Sequence, residues 1–598
     1  MLEIYKESIR GLCQAGAEQI AQTRMRVFLV SALALCATIF TQARVVDDYV
    51  SREGPIAKAG LLANIGSTGA KSLGARPGVV VASPNRVDPD YVYMWIRDSS
   101  LVFKLLVDQY TLGDDTSPAI RSLIDAFVTS QGRIQKVSNP SGTQATGGLG
   151  EPKFNIDETA FTDGWGRPQR DGPALRSTTL MIYSKWLLAN QNGSQVTNVL
   201  WPIIKQDLDY TAQYWNQTGF DLWEEVSSSS FFTSAAQHRA LREGAAFARQ
   251  LGQTSVAATY EEQANNVLCF LQSYWNPTGK YITSNTGGGR SGIDANSALA
   301  SIHNFDPEAG CDVATYQPCS DKALSSLKVY VDSFRQIYSI NKGIPANQAV
   351  ATGRYPEDVY YGGNPWYLGV AAVAEQLYDS IITWNRQGNI PITDISLPFF
   401  RQFSPSVNPG TYASSSSTFQ TLNTAVKAFA DGFIAILEKY TPTDGSLAEQ
   451  FGRDNGLPLS AKDLTWSYAS ALTAFNARAG KTSASWGAKG LVVPAVCHNN
   501  PGPTVDITFN EQATTQFGEN IFLAGSIDVL KGWSPDNAVA LSSANYPIWS
   551  ATVKIPASTN FEYKYIRKFN GVVTWESGSN RFFASPQNGT YILNDSWR

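Results

Sequence analysis

The chain has 598 residues, with 47 Lys+Arg against 51 Asp+Glu and a net charge of -4. That length allows more than one domain and a large core. The balance gives no basic footprint for nucleic acid and no acidic tail, while 12% aromatic and only 16% charged residues suit a neutral ligand such as a carbohydrate.

Residues 27–40 (VFLVSALALCATIF) form an apolar run behind Met25-Arg26 and ahead of Thr41-Gln42-Ala43, the layout of a secretory leader. The run is shorter than the roughly 18 to 20 residues of a bilayer span. A leader does not need residues 1–24, so we expect translation to start at Met25, with 25–43 as signal peptide and a mature chain beginning near Arg44. From about 45 to 486 the pattern is helical: 100–110, 174–189, 199–214, 235–251 and 424–439 carry apolar residues at three- and four-residue spacings. Glycine-rich loops, such as 139–150 and 287–292, separate them. Paired helices in a ring or a stack fit this pattern.

Exported chains favour disulfides. Cys13 and Cys36 lie in or before the leader, which leaves four cysteines in the expected mature chain and three possible pairings. Cys311 and Cys319 flank a short segment with Pro318 and can close locally, which leaves Cys269 to reach Cys497. That long closure is worth about 5 kcal/mol on a chain-entropy model. Sequons stand at Asn192, Asn216, Asn588 and Asn594.

Near 489–503 the sequence changes to a short linker with Pro494, Pro501, Gly502 and Pro503. Beyond it, 548–555 and 561–567 alternate, with Phe561, Tyr563 and Tyr565 on one face and Glu562 and Lys564 on the other. The expected division is a helical domain at 44–488, a linker at 489–503 and a β-sandwich at 504–598.

The chemistry concentrates at Asp221-Leu222-Trp223-Glu224-Glu225. Glycosidic cleavage needs a carboxylic acid to protonate the leaving oxygen and an ionised carboxylate across the anomeric carbon. A tryptophan beside the acid supplies an apolar face for a pyranose. On a helix, Asp221 and Glu224 would share a face and offer the close pair of a retaining enzyme. An inverting enzyme takes its base from further away, and the loop 444–450 (DGSLAEQ) is the best such segment. An acidic first turn of a surface helix is the plain alternative.

Six blocks carry a resemblance: PDYVYMWIRDSS (89–100), GLGEPKFNIDETAFTDGWGRPQRDGPALR (148–176), YWNQTGFDLWEEV (214–226), GRYPEDVYYGGNPW (353–366), GSLAEQFGRDNG (445–456) and LSAKDLTWSYA (459–469). On them the chain resembles the fungal glucoamylases of glycoside hydrolase family 15. The resemblance implies an all-α (α/α)6 barrel followed by a small all-β starch-binding sandwich, and a secreted, inverting, exo-acting hydrolase that releases β-D-glucose from starch. It implies Glu224 as general acid and Glu449 as general base, with Asp221 supporting or serving as the alternative acceptor. Tyr91 would help hold the attacking water, and Arg97, Asp98, Glu225, Arg354 and Asp358 would bind or support sugar hydroxyls. Trp95, Trp165, Trp223, Trp366 and Trp466 would wall the pocket.

In the sandwich, Trp533 and Trp575 with Lys564 and Asn580 would form one glucan site. Tyr546 would belong to a second, where Phe517 replaces the usual tyrosine and loses its hydroxyl. The partners implied are starch, maltodextrins and related α-glucans, for a monomer with no nucleic-acid partner and no stable membrane association. No metal or organic cofactor is implied, and His238, His303 and His498 are scattered. A related exo-glucanase or trehalase-like hydrolase on the same barrel, or a catalytically inactive glucan-binding protein, are the alternatives.

Overall fold

The computed structural model describes residues 44–495, 497, 504–557, 559–586 and 589–598. The expected leader, most of the linker's second half, His498 and the sequon at Asn588 lie outside them.

The helical domain is built from α1 (44–63), α2 (Ile96–Thr111), α3 (Pro118–Ile134), α4 (Asp171–Ala189), α5 (Trp201–Tyr214), α6 (Phe231–Gln250), α7 (Thr254–Leu271), α8 (Asn296–His303), α9 (Asp321–Ser333), α10 (Tyr367–Gln387), α11 (Ser417–Tyr440) and α12 (Thr465–Arg478). The even-numbered helices pack each against the next, and α12 returns to α2, so they close a ring. The odd-numbered helices lie outside it, α3 on α2, α5 on α4, α7 on α6, α9 on α8 and α11 on α10. Helix α1 joins α12 through the edge-on rings of Tyr49 and Phe475 and the Asp47–Arg478 ion pair at 2.7 Å. This is an (α/α)6 barrel.

The inner helices are buried nearly all round. In α4 the residues from Asp171 to Met181 are all buried, polar ones included. Those polar groups are answered inside: Arg176 forms a two-pronged pair with Asp207 of α5, at 2.6 and 2.8 Å, as a buried charge requires. An outer helix such as α11 instead buries one stripe, Phe419, Leu422, Val426, Phe429, Phe433 and Leu437. Helix α11 begins at Ser417, seven residues before the apolar pattern, because Ser416 caps it by accepting from Phe419 N.

All six inner helices start at the same end. Arg97 in the first turn of α2 meets Asp171, the first residue of α4, at 3.3 Å, and Asn296, the first of α8, accepts from the backbone N of Phe232 in α6 at 2.7 Å. There the connecting segments are long and include the antiparallel pair β1 (Tyr93–Trp95) and β2 (Lys153–Asn155). Two disulfides form, Cys311–Cys319 and Cys269–Cys497; the second spans 228 residues and ties the tail after the barrel to the end of α7.

The C-terminal part is a two-sheet sandwich. Strands β3 (Thr504–Gln512), β4 (Asn520–Gly525), β5 (Val539–Ala540), β6 (Ser542–Asn545), β7 (Ile548–Pro556), β8 (Asn560–Phe569), β9 (Val572–Trp575), β10 (Arg581–Ala584) and β11 (Thr590–Ser596) make one sheet in the order β6-β7-β3-β11 and another in the order β5-β4-β8-β9, with β10 also on β8. Among the described residues only β3 and β11 pair in parallel. Phe561, Tyr563 and Tyr565 point into the core with Val505, Ile507 and Phe509 of the facing sheet. Both tyrosine hydroxyls donate to Asp595, at 2.9 and 3.0 Å, so the buried phenols are satisfied.

Candidate active site

At the end where the inner helices begin, the connecting segments enclose a cavity of about 620 Å³. Tyr91, Trp95, Arg97, Asp98, Trp165, Trp223, Glu224, Glu225, Arg354, Trp366, Glu449 and Trp466 all line it. They come from six separate stretches of chain. Asp221 and Asp358, named on the same motifs, stand behind the wall.

The segment carrying Asp221 to Glu225 is a turn between two short strands, Gly219–Phe220 and Ser227–Ser228, not a helix, so the expected shared helix face does not exist. Asp221 organises it. Its Oδ1 accepts from the backbone N of Glu225 and of Val226, at 3.0 and 3.2 Å, and its Oδ2 accepts from Asn285 at 2.9 Å. Such local side-chain bonds are how Asp competes with helix. Glu224 sits at φ 67, a left-handed conformation that a non-glycine residue adopts only under constraint.

Three contacts converge on one oxygen of Glu224. Trp95 Nε1 donates to Oε1 at 2.6 Å, Gln169 Nε2 donates at 3.0 Å, and Arg97 Nη2 lies 3.5 Å away. Glu449 belongs to the loop after α11, and its Oε2 accepts from Gln450 Nε2 at 3.0 Å and from the Ser460 hydroxyl. Burial pushes Glu449 up to about 7, while Ser460, Gln450 and Tyr91 pull the other way by stabilising the carboxylate. Tyr91 and Tyr360 share a hydroxyl hydrogen bond of 2.9 Å beside it.

Two arginines divide the cavity. Arg97 donates to Gln169 at 2.8 Å, and its Nε lies 3.3 Å from Asp98 Oδ1, yet neither of these last two buried atoms has a hydrogen-bond partner among the described residues. Buried groups of that kind await a ligand or water. Burial pushes Asp98 up to about 6 against the pull of Arg97. Arg354 grips Asp358 with two prongs, 2.6 and 2.8 Å, and reaches Glu225 Oε1 at 2.9 Å. Asp358 thereby fixes the arginine at the cavity wall. For Glu225, burial is outweighed by Arg354, Tyr355 and Arg290, which hold its carboxyl below the usual range.

The aromatic wall is interlocked: Trp223 and Trp366 lie 5.5 Å apart, Trp95 and Trp165 5.9 Å, and Arg97 stands over Trp466 at 5.7 Å. Trp223 Nε1 donates to Asp294 at 3.0 Å. Sequence reading missed Lys153, Tyr360 and Tyr361 of the lining, and Gln169 and Arg290 behind it. Lys153 packs its ammonium among Tyr93, Trp95, Phe161 and Trp165, at 3.6 to 4.7 Å from the rings, and burial brings it down to about 8. The first four fall inside the quoted motifs; Arg290 lies in a loop noted only for its glycines.

In the sandwich, Trp575 is 37% exposed and its ring lies 6.2 Å from that of Trp533. Lys531, Gly532 and Trp533 all have positive φ, so the turn holds Trp533 in a strained conformation. Lys564 Nζ donates to the carbonyls of Glu576 and Gly578, at 3.2 and 2.6 Å, and supports the Trp575 turn. Asn580 donates to Glu562 at 2.8 Å. Elsewhere Tyr546 is half exposed, with its hydroxyl accepting from Thr515 N at 3.2 Å, and Phe517 stands fully in solvent. Asn192 and Asn594 are exposed, and Asn216 is half-buried.

Residues 55–476 match the family described as glycosyl hydrolases family 15, and 504–594 match the starch binding domain. Glucoamylase-1 of Schizophyllum commune is 58% identical, covering 95% of this chain and 98% of its own length. The Neurospora crassa glucoamylase is 49% identical over 93% and 95%. Among solved structures, the family 15 glucoamylase from Hypocrea jecorina superposes with a TM-score of 0.74 at 49% identity, covering 92% of this chain and 100% of its own.

Proposed function

The chain belongs to glycosyl hydrolases family 15 and is a starch-degrading glucoamylase, and from that premise we propose that it inverts by a single displacement, with Glu224 as general acid and Glu449 as general base. The observation that carries the assignment is the pair's placement on one cavity, each with its donors gathered on a single oxygen and the other oxygen left for the reaction. The three contacts of Glu224 converge on Oε1, so Oε2 is the oxygen to carry the proton for the glycosidic oxygen. Glu449 sits among hydroxyl and amide donors that suit an ionised base, with Tyr91 beside it to steady the attacking water. Asp221, with three hydrogen bonds from its own turn and Asn285, has the role of positioning Glu224 and Glu225.

Arg97 and Asp98 hold the hydroxyls of the terminal glucose, which explains their unpartnered buried atoms. Glu225, with the most exposed side chain of these carboxylates at 29% against 16% for Glu224 and 11% for Asp98, faces the sugar that leaves. The aromatic wall excludes water and strengthens each of these interactions. Trp533 and Trp575 form one starch-binding site, and Tyr546 with Phe517 a second.

The boundaries proposed are a leader at 25–43, a catalytic domain at 44–488, a linker at 489–503 and a binding module at 504–598. No helix among the described residues is long and apolar enough to cross a membrane, and the proposal is a secreted monomer, glycosylated at one or more of its sequons. Proton NMR during the first turnovers of soluble starch, whose long chains add almost no reducing-end glucose, tests the mechanism: β-glucose appears first, and initial α-glucose refutes it. Trp533→Ala with Trp575→Ala should keep the maltose rate and lose most adsorption to raw starch, since each ring supplies a broad apolar face for a sugar.

A further inference from the structure

Glu225 is held from a direction that the reaction scheme does not use. Its Oε1 takes Arg354, and its Oε2 takes the Tyr355 hydroxyl and Arg290 Nη2, the last at 2.5 Å. Arg290 lies over the Tyr355 ring at 3.8 Å, and its Nη1 is buried without a partner among the described residues, so one arm and one ring face locate it. A stacked guanidinium is pre-organised, and little is lost when it forms its one strong bond.

The segment that carries Arg290 is a strap between two walls of the cavity. On one side Thr286 N donates to Ser229 O at 3.0 Å and Asn285 donates to Asp221 at 2.9 Å. On the other, Ser291 N donates to Glu357 Oε1 at 2.9 Å, and the Tyr281 hydroxyl donates to Ser291 O at 2.7 Å. Glycine is required at the crossing: Gly288 has φ 99, and a Cβ there would stand 2.6 Å from Val226. The strap is therefore built to a fixed height above the turn that carries Glu225.

We propose that Arg290 is the positioning residue that fixes the Glu225 carboxylate as hydroxyl acceptor for the leaving sugar, so that the strap at 285–292 sets affinity for that sugar and not the rate of bond cleavage. A carboxylate offers about four acceptor sites. Three are filled by protein, and the remaining one keeps its direction only while both arginines hold the group. This rests on the placement of Glu225 toward the leaving sugar.

The test compares maltose with α-glucosyl fluoride, whose leaving group has no hydroxyl for Glu225, in the full-length enzyme. Arg290→Gln should raise KM for maltose about tenfold, the scale of one charge-assisted hydrogen bond, with kcat little changed and α-glucosyl fluoride unaffected. Arg290→Lys should recover part of the loss, and Arg290→Gln should add nothing in a Glu225→Gln background. Equal losses on both substrates, or an unchanged maltose KM, overturn the proposal. If Glu225→Gln itself leaves maltose KM unchanged, the placement of Glu225 fails, and the strap's role fails with it. If Glu225→Gln raises that KM and Arg290→Gln does not, only the strap's role fails.

Discussion

The six inner helices bury acids at both ends of the barrel and treat them differently. Where the helices begin, Arg97 and Arg354 stand within the cavity wall, and Glu225 is kept below the usual carboxylate range. Where they end, a cavity of about 60 Å³ is lined by Lys104 and Asp108 of α2, Glu375 and Asp379 of α10 and Thr473 of α12. Lys104 is already engaged by Asp108 at 2.8 Å and Ser483 at 2.9 Å. Burial therefore pushes Glu375 up to about 7, against donation from Thr473 and the pull of Lys104, and pushes Asp379 well above its usual range with Glu375 adding to it. One scaffold thus holds Glu225 ionised with cations at the first end, where burial still raises Asp98 and Glu449, and leaves Glu375 and Asp379 at the far end to be neutralised by protons.

The largest way to break this contrast is at the first end. Glu449→Gln or Glu224→Gln should lower kcat for maltose by about 10³-fold, the scale of one general acid or base, with a modest change in KM. Asp379→Asn at the far end should leave kcat unchanged, and a comparable loss there would dissolve the distinction.

The far end should show in stability. A carboxyl whose folded pKa is raised contributes stability that is fully present below its unfolded value and is lost as pH rises through the folded value. For Glu375 that window ends near 7. The melting temperature should therefore fall as pH rises from the ordinary glutamate value of 4.5 towards 7, and Asp379→Asn or Glu375→Gln should flatten the decline by about 2 °C or more. Differential scanning calorimetry from pH 5 to 9 checks it, and parallel curves for variant and parent would remove these acids as the cause.

The smallest effect concerns the dressing of Glu449. Ser460 donates to its carboxylate and so lowers its pKa. Ser460→Ala should shift the acid limb of the kcat/KM profile upward by several tenths of a pH unit, with the alkaline limb unmoved. A shift in the opposite direction would contradict the assignment of Glu449 as the ionised base.

Five helices were legible from apolar spacing: 100–110, 174–189 and 235–251 mark the inner α2, α4 and α6, and 199–214 and 424–439 the outer α5 and α11. The inner helix α12, buried without a break from Thr465 to Leu472, was not marked, since a helix packed on every side keeps little apolar periodicity. Among site residues, those in short motifs were legible, but the placement of Asp221 was not. Its three carboxylate hydrogen bonds convert a sequence that reads as a helix start into a turn. Arg290 carried no signal, because an arginine in a glycine-rich loop reads as solvated until its partner is known.

By itself the sequence determined the two-part architecture and favoured the disulfide pairs that form, from residue type and spacing, while the resemblance in six motifs is what proposes Glu224 and Glu449. Only the tertiary structure decided what each carboxyl experiences. Burial, the reach of Arg97, Arg290 and Arg354, and the ring closure that brings segments more than 200 residues apart onto one cavity are properties of neighbours in space, and charge is priced by those neighbours.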